Sequence, residues 1–217
     1  MKRFLWFIVC LMTMVVSVNA QSSPMEKISD GNNVFHVHFG VSMSNITGSY
    51  TDGSMSCENV FGQTESVGAY IPTGIDNLYL GAAIGIGMRG YKENYDMFAT
   101  SYGTTFTAYN IYLSPSIGYL VKVNDDVFID AHLGAYYSND FSHSFEGHGT
   151  GSFLMETNVI DAYESQYNKS DGGLIGGVGV WYKHFGLELN YSRGLTSLYK
   201  DFDAYTQKFT LSLGYAF

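Results

Sequence analysis

The sequence predicts an all-β protein, an eight-stranded antiparallel up-and-down β-barrel that crosses a membrane. Three observations favour this fold class: apolar and polar side chains alternate with a period of two in eight segments, long and short connections alternate between those segments, and the chain has 18 Tyr and 15 Phe but only 3 Pro. A period of two places successive side chains on opposite faces of a strand. With 217 residues, 46% of them hydrophobic, the chain suffices for one domain and is too apolar for disorder.

The first twenty residues have the three parts of a secretory signal peptide. Lys2 and Arg3 precede an apolar run over residues 4–18, and Val18-Asn19-Ala20 forms a small-residue cleavage site. A membrane anchor is the alternative, but the apolar run is shorter than a spanning helix requires. We therefore expect a signal peptide over 1–20, a short N-terminal periplasmic segment over 21–32 and a barrel over 33–217.

Composition excludes several classes of protein. The 11 basic and 20 acidic residues give a net charge of −9, which argues against a nucleic-acid partner. Once Cys10 leaves with the signal peptide, Cys57 is the single cysteine, so an internal disulfide is excluded, and no Cys/His spacing suits a structural zinc site. We expect Cys57 to lie in a loop.

The clearest strands lie at the two ends of the mature chain. Between residues 35 and 43, apolar side chains alternate with His36, His38 and small residues. Between residues 205 and 217 the same alternation recurs, broken only by Gln207. Both segments are typical of strands with one apolar face.

The six strands between them follow in order and vary in clarity. The second is the weakest, Pro115 interrupts the hydrogen-bond ladder of the fourth, and the sixth has uncertain parity because Ile175 and Trp181 fall opposite its other apolar residues. The predicted ranges are about 61–71, 78–89, 105–123, 127–137, 172–183 and 187–192.

The connections alternate in length. Long ones lie at about 45–60, 92–104, 139–171 and 194–204, and short ones at 72–76, 124–126 and 183–186. Transmembrane barrels have short periplasmic turns and longer extracellular loops. The pattern therefore predicts that both ends of the barrel chain face the periplasm.

The polar faces distinguish a membrane barrel from a soluble secreted one, which is the alternative. They carry mainly Gly, Ser, Thr, Asn and His, which fit a narrow lumen, instead of the Lys and Glu of a water-exposed face. Aromatic residues lie near strand ends, where a girdle at the lipid interface is expected: Tyr119, Tyr137, Tyr182, Tyr191, Tyr215 and Phe217. The outer face is thus predicted to contact outer-membrane lipid.

Several blocks of the sequence resemble the PorT-like outer-membrane β-barrel proteins of Gram-negative bacteria over about residues 33–217. The blocks are Phe39-Gly-Val41, Ile84-Gly-Ile-Gly-Met-Arg-Gly-Tyr91, Tyr109-Asn-Ile-Tyr-Leu-Ser-Pro115 with Gly118-Tyr119, Gly176-Gly-Val-Gly179, Leu189-Asn-Tyr-Ser-Arg-Gly-Leu195 and Lys208–Phe217. The resemblance implies an outer membrane protein β-barrel domain. It also implies that Gly214, Tyr215 and Phe217 form the signal that the outer-membrane assembly machinery reads.

The alternation places seven charged or ionisable side chains inside the barrel: Arg89, Asp130, Glu188, Lys208, His36, His38 and His132. Chain direction puts Asp130 and Glu188 toward the periplasmic end, away from Arg89 and Lys208. We expect polar filling of the lumen, with a proton or ion path as the alternative. His36 and His38 lack a clear third ligand, so no metal site is predicted.

The longest predicted loop is acidic and contains the candidate groups for chemistry at the barrel rim. They are Asp140, His143, Glu146, His148, Glu156, Asp161 and Glu164. No hydrolase, zinc-protease or EF-hand spacing occurs among them, so we predict no catalytic residue and no cofactor. An enzyme that acts on lipid or peptide at the barrel rim, to be tested at His143, Glu146 and His148, is the third-ranked hypothesis.

The leading functional prediction is a non-enzymatic barrel of the cell outer membrane. Its acidic extracellular loops would serve surface interaction or envelope integrity, since loops on a rigid scaffold carry recognition. The alternative is a narrow pore or an accessory component of an outer-membrane transport or secretion complex. Expected partners are outer-membrane lipid and the assembly machinery, with an extracellular ligand or protein left open.

Overall fold

A computed structural model describes residues 23–48, 55–97, 100–149, 164–201 and 203–217 as one short helix and eight strands. The helix is α1 (Pro24–Ser29). The strands are β1 (Val34–Thr47), β2 (Met55–Pro72), β3 (Leu78–Met97), β4 (Thr100–Lys122), β5 (Val127–Gly149), β6 (Ser170–Tyr182), β7 (Phe185–Gly194) and β8 (Tyr205–Ala216). In these described ranges, no helix has the length and apolar character needed to cross a membrane.

The eight strands form one closed barrel in chain order. Each strand pairs antiparallel with the next, and β1 pairs with β8 through contacts such as Val37 with Tyr215. Closure leaves no strand edge exposed in the ring where all eight strands pair, as lipid requires. The predicted fold class is confirmed.

The register gives the barrel its stagger. The paired residues can be followed from Phe39 of β1 around the barrel in both directions. Through β8, β7 and β6 they lead to Ile129 of β5. Through β2, β3 and β4 they lead to Asn139 of the same strand. The difference, 139 − 129, is a shear of 10 residues. Eight strands enclose a lumen just wide enough for side chains to fill.

The outer surface is an apolar band on every strand, including Val41, Leu133 and Leu213. The parity of β6 is now clear: Leu174 and its alternate neighbours face outward, whereas Trp181 is buried inside. The two faces of the strands thus match lipid outside and a packed lumen inside.

Four strands extend at least five residues beyond their predicted ends. β2 begins at Met55, β3 continues to Met97, β4 begins at Thr100 and β5 continues to Gly149. The loop predictions for much of 45–60, 92–104 and 139–171 are therefore wrong, as is the loop position of Cys57, which lies half-buried on β2. These extensions carry polar residues on both faces, so they show no apolar period although their backbones pair.

A β-bulge in β5 changes which side chains face inward. Tyr109 pairs with Ser142 and Asn110 with Asp140, so Phe141 is an extra residue. One inserted residue exchanges the two faces of a strand. Beyond the bulge, Phe145 consequently packs inside the barrel.

The three short turns mark one end of the barrel, here called the turn end; the opposite one is the loop end. Helix α1 lies at the turn end, where Met25 and Ile28 are buried. The Ser23 hydroxyl donates to the Lys183 carbonyl at 3.1 Å, and Glu26 pairs with Lys122 at 2.9 Å. Residues 21–32 were predicted only as a short segment, and six helical residues give too short a periodic signal to detect.

Buried apolar side chains lie across the bore at both ends. The turn-end cluster is Met25, Ile28, Val34, Tyr70, Tyr79, Leu120, Phe128, Trp181 and Ala216. The loop-end cluster is Ile46, Tyr91, Phe106, Ala108, Tyr167, Leu198, Tyr199 and Ala204, with Cys57 and Phe145 packed against it.

Candidate functional site in the lumen

A polar cavity of about 110 Å³ lies between the two clusters, lined by inward side chains of all eight strands. A cavity of this size with polar walls has room for a few water molecules. Most of the residues that line the cavity carry a hydroxyl, amide or imidazole group, as the small polar residues of the inner faces require. The charged groups of the lumen form two separate networks.

The network nearer the loop end is centred on Arg89. Its Nη2 lies 2.6 Å and its Nε 3.0 Å from Asp140 Oδ2, and its Nη1 lies 3.1 Å from Asp171 Oδ2. The Tyr136 hydroxyl donates to Asp171 at 2.9 Å, and the Tyr167 hydroxyl donates to Asp140. Two carboxylates thus share one guanidinium, whose planar fork suits such pairing.

Lys208 lines the same cavity on β8. Its ammonium lies 5.6 Å from the centre of the Tyr112 ring, a distance that allows a cation–π contact. The cation is thus accommodated beside an aromatic face.

The network nearer the turn end joins β5 to β7. His132 Nδ1 lies 2.7 Å from Asp130 Oδ2, and His132 Nε2 lies 2.8 Å from Asn190 Oδ1. The Asn190 amide donates to Glu188, and the Tyr79 hydroxyl donates to Asp130. The carboxylates of Asp130 and Glu188 therefore each accept a hydrogen bond from a neutral side chain.

His36 and His38 project from β1 beside this second network. Their ring centres lie 4.7 Å apart, and the His36 ring stacks on Tyr70 at 4.2 Å. His38 Nδ1 lies 3.9 Å from Glu188 Oε1. Among the described residues, both ring nitrogens of His36 and the Nε2 atom of His38 lack a hydrogen-bond partner.

The structure places all seven sequence-predicted interior residues inside the barrel, either in the two networks or beside them. Arg89 and Lys208 lie on the loop side, whereas the other five lie on the turn side. Sequence reasoning missed Asp171, although it lies one residue before the predicted sixth strand and in phase with its inward face. It also missed Tyr79 as a partner of Asp130.

The rim residues do not form the arrangement considered from the sequence. Asp140, His143 and Glu146 lie on β5, not in a loop, and Asp140 is buried against Arg89. The bulge turns His143 inward, 4.0 Å from Glu164, whereas Glu146 is exposed on the other face. The side chain of His148, and the residues Glu156 and Asp161, fall outside what the structure describes.

The family of the chain follows from its sequence. Residues 19–200 match the model of the outer membrane protein beta-barrel domain. The chain belongs to this family. The protein is therefore located in the outer membrane. In outer-membrane barrels the short turns generally face the periplasm and the longer loops the exterior. Comparison with curated proteins gives no match.

Solved barrels of the same kind resemble the structure at low sequence identity. The attachment invasion locus protein Ail of Yersinia pestis, solved with the heparin analogue sucrose octasulfate, is 16% identical, with 86% of this chain and 99% of that chain covered and a TM-score of 0.42. Neisserial surface protein A is 15% identical (84% and 97% covered, TM-score 0.42). OprG of Pseudomonas aeruginosa is 10% identical (86% and 97% covered, TM-score 0.43).

Proposed function

We propose that this protein is a non-conducting, non-enzymatic outer-membrane barrel that acts through an acidic surface at its loop end. The observation that carries the proposal is the pair of apolar clusters across the bore. The turn-end cluster takes side chains from seven of the eight strands and from α1. Ions crossing the lumen would have to pass two packed layers of mainly hydrocarbon side chains, whose few hydroxyl groups cannot replace a full hydration shell.

The charge of the loop end supports a role in contact with other surfaces. The segments 45–61, 92–105, 142–170 and 193–205 contain ten acidic and four basic residues, a formal charge of −6 out of −9 for the whole chain. Glu58, Glu146 and Glu164 are exposed there. A surface of one sign attracts partners of the opposite sign and speeds their association. We therefore propose a cationic partner surface.

The extended strands present that charge on a paired sheet. A transmembrane strand needs about 9–11 residues, whereas β4 and β5 each have 23. Their register continues from Lys122 with Phe128 up to Tyr102 with Gly149. The outer half of this hairpin would stand above the lipid as a fixed platform.

Export and assembly belong to the same proposal. Residues 1–20 would be cleaved as a signal peptide, leaving 21–32 in the periplasm before the barrel of 33–217. Gly214, Tyr215 and Phe217 would be read by the assembly machinery, and Phe217 is accessible for this, with 49% of its surface exposed. Within the family, the blocks described above favour the PorT-like group.

The resemblance to the PorT-like group is compatible with an alternative to the surface function. In this alternative the protein is a narrow pore or an accessory component of a transport or secretion complex. A pore would require both apolar clusters to separate. An accessory component would use the barrel surface and leave the lumen closed.

The experiment compares cells that display charge variants. Glu58→Lys, Glu146→Lys and Glu164→Lys are combined, and the control combines Asp76→Lys, Asp125→Lys and Asp126→Lys at the turn end. Binding of intact cells to polylysine-coated beads is measured over a range of salt concentrations. We expect loss of binding for the loop-end variant only, and a decrease with salt for the wild type.

Equal bead binding by the wild type and the loop-end variant contradicts the proposal. Detergent sensitivity of the same cells is measured in parallel. Sensitivity in the loop-end variant without any change in bead binding assigns the acidic surface to envelope integrity instead.

A further inference from the structure

The turn-side network brings metal-ligating side chains from three strands into one buried place. Asp130 and His132 come from β5, Glu188 from β7 and His38 from β1. From the sequence alone, His36 and His38 lack a third ligand, whereas the closed barrel places carboxylates of two other strands beside them. Imidazole and carboxylate together are a ligand set that zinc and similar divalent ions accept.

The distances suit a shared ion after small side-chain movements. One potential ligand atom from each of Asp130, His132 and Glu188 lies within 4.8 Å of the others. His38 Nδ1 lies 3.9 Å from Glu188 Oε1. Two ligand atoms about 2.0–2.2 Å from a tetrahedral zinc ion are roughly 3.4 Å apart. The separations exceed this value by at most about 1.4 Å, a difference that side-chain torsions can supply. His132 would exchange its Nδ1 contact with Asp130 for the ion and keep its Nε2 hydrogen bond to Asn190.

Unpartnered imidazole nitrogens line the same cavity. His36 has 4% and His38 8% of its surface exposed, so both rings are buried. Among the described residues, three of their four ring nitrogens have no hydrogen-bond partner. Burying a polar atom without a partner costs free energy. A ligand in the cavity that accepts an imidazole lone pair would remove part of this cost.

The charges also favour a cation. The ion-pair partners of Asp130 and Glu188 among the described residues are the histidines His132 and His38, whereas Arg89 pairs with the carboxylates of the other network. A divalent cation would neutralise both carboxylates while the imidazoles stay neutral. Buried charges require such compensation.

We propose that the lumen binds one divalent transition-metal ion of the zinc type through Asp130, His132, Glu188 and His38, with His36 adjacent. Two neighbours orient the carboxylates: Tyr79 donates to Asp130, and Asn190 donates to Glu188. Such outer hydrogen bonds hold ligands in position in metal sites. The site is independent of the acidic loop-end surface, so either proposal stands without the other.

The experiment measures zinc bound to untagged, full-length protein in detergent. Because the two apolar clusters close the lumen, the protein is unfolded in the presence of EDTA, refolded into detergent in the presence of Zn²⁺, desalted and analysed for metal. We expect about one zinc ion per chain. His38→Gln and Glu188→Gln should each weaken binding about tenfold or more. The control His184→Gln changes a histidine at the turn end, outside the cluster, and should bind like the wild type.

Cobalt provides a readout that does not depend on the folding of the variants. Co²⁺ bound to the wild type should give the absorption bands of a four-coordinate nitrogen and oxygen site, and Zn²⁺ should displace it. A wild type that retains no zinc and shows only the spectrum of aqueous cobalt overturns the proposal. Full zinc binding by folded His38→Gln and Glu188→Gln variants overturns it as well.

Discussion

Arg89 of β3 and Asp140 of β5 form a buried ion pair across two strands that are not neighbours. Strand β4 lies between them, and the guanidinium reaches past it to hold Asp140 at 2.6 Å and Asp171 of β6 at 3.1 Å. The bulge at Phe141 stands next to Asp140 on β5. One cation thus ties three strands of the barrel together above the central cavity.

Arg89→Met should destabilise the barrel strongly. The change leaves Asp140 and Asp171 buried without their cation, and breaking a buried pair in this way costs about 3–5 kcal/mol. The unfolding midpoint in urea, followed by the heat-dependent gel shift of protein folded into lipid vesicles, measures the effect. The control Arg193→Met alters an exposed arginine on β7 and should unfold like the wild type. Equal midpoints for both variants would contradict the role of the pair.

Glu65→Leu should stabilise the barrel in lipid. Glu65 lies on the outward face, opposite Phe39 of β1 and Ile86 of β3. Within the described residues, its side chain forms no hydrogen bond or ion pair. A charged side chain on the lipid face destabilises a barrel. For a carboxylate the cost is roughly 1–2 kcal/mol, which is less than the cost of an Arg or Lys side chain at the bilayer midplane. Unfolding in vesicles is compared with Gln63→Leu, which removes polarity without charge. A less stable Glu65→Leu barrel would show that the carboxylate has a stabilising partner.

Thiol labelling of intact cells should report the face of each residue on β5. In a Cys57→Ser background, a membrane-impermeant maleimide should label Glu146→Cys rapidly and His143→Cys slowly, because the two residues lie on opposite faces of β5 and the bulge turns His143 inward. Asp76→Cys at the turn end should react only after the outer membrane is permeabilised. Rapid labelling of Asp76→Cys in intact cells would reverse the assigned orientation.

Phe217→Ala should impair assembly in cells and leave folding in detergent unchanged. Phe217 is exposed on the outside and contacts Tyr215 with ring centres 5.1 Å apart. Phe185→Ala is the matched control, since Phe185 also contacts Tyr215 from the outside. Outer-membrane yield should fall for Phe217→Ala alone. Equal losses for the two variants would assign the effect to packing around Tyr215.

The sequence predicts the barrel well where one face of a strand is apolar. In β1, His36 and His38 alternate with residues that face lipid, and the structure has the same two faces. In the outer part of β3, Lys92, Glu93 and Asn94 follow one another without an apolar period. Backbone pairing and polar cross-strand contacts, such as those of Lys92 and Asn94 with Glu58, extend this strand, and no apolar alternation reveals them.

The site was predictable as a set of inward residues but not as two networks. Alternation assigns Arg89 and Asp130 to the lumen, whereas their partners depend on register. Asp140 is inward because it lies in phase with Asp130 on β5, beyond the predicted end of that strand, and Tyr79 reaches Asp130 across β4. Neither the bulge nor the shear of the barrel has a signature in a single sequence.

Ion conductance tests the central claim most directly. Full-length protein is inserted into planar phosphatidylcholine bilayers in concentrated KCl and compared with the combined variant Met25→Asp and Ile28→Asp, which disrupts the turn-end cluster. A lumen closed at both ends predicts no conductance steps from the wild type. Discrete steps from the wild type, with a size that changes in the variant, would identify the lumen as the ion path and contradict a closed barrel that acts through its outer surface.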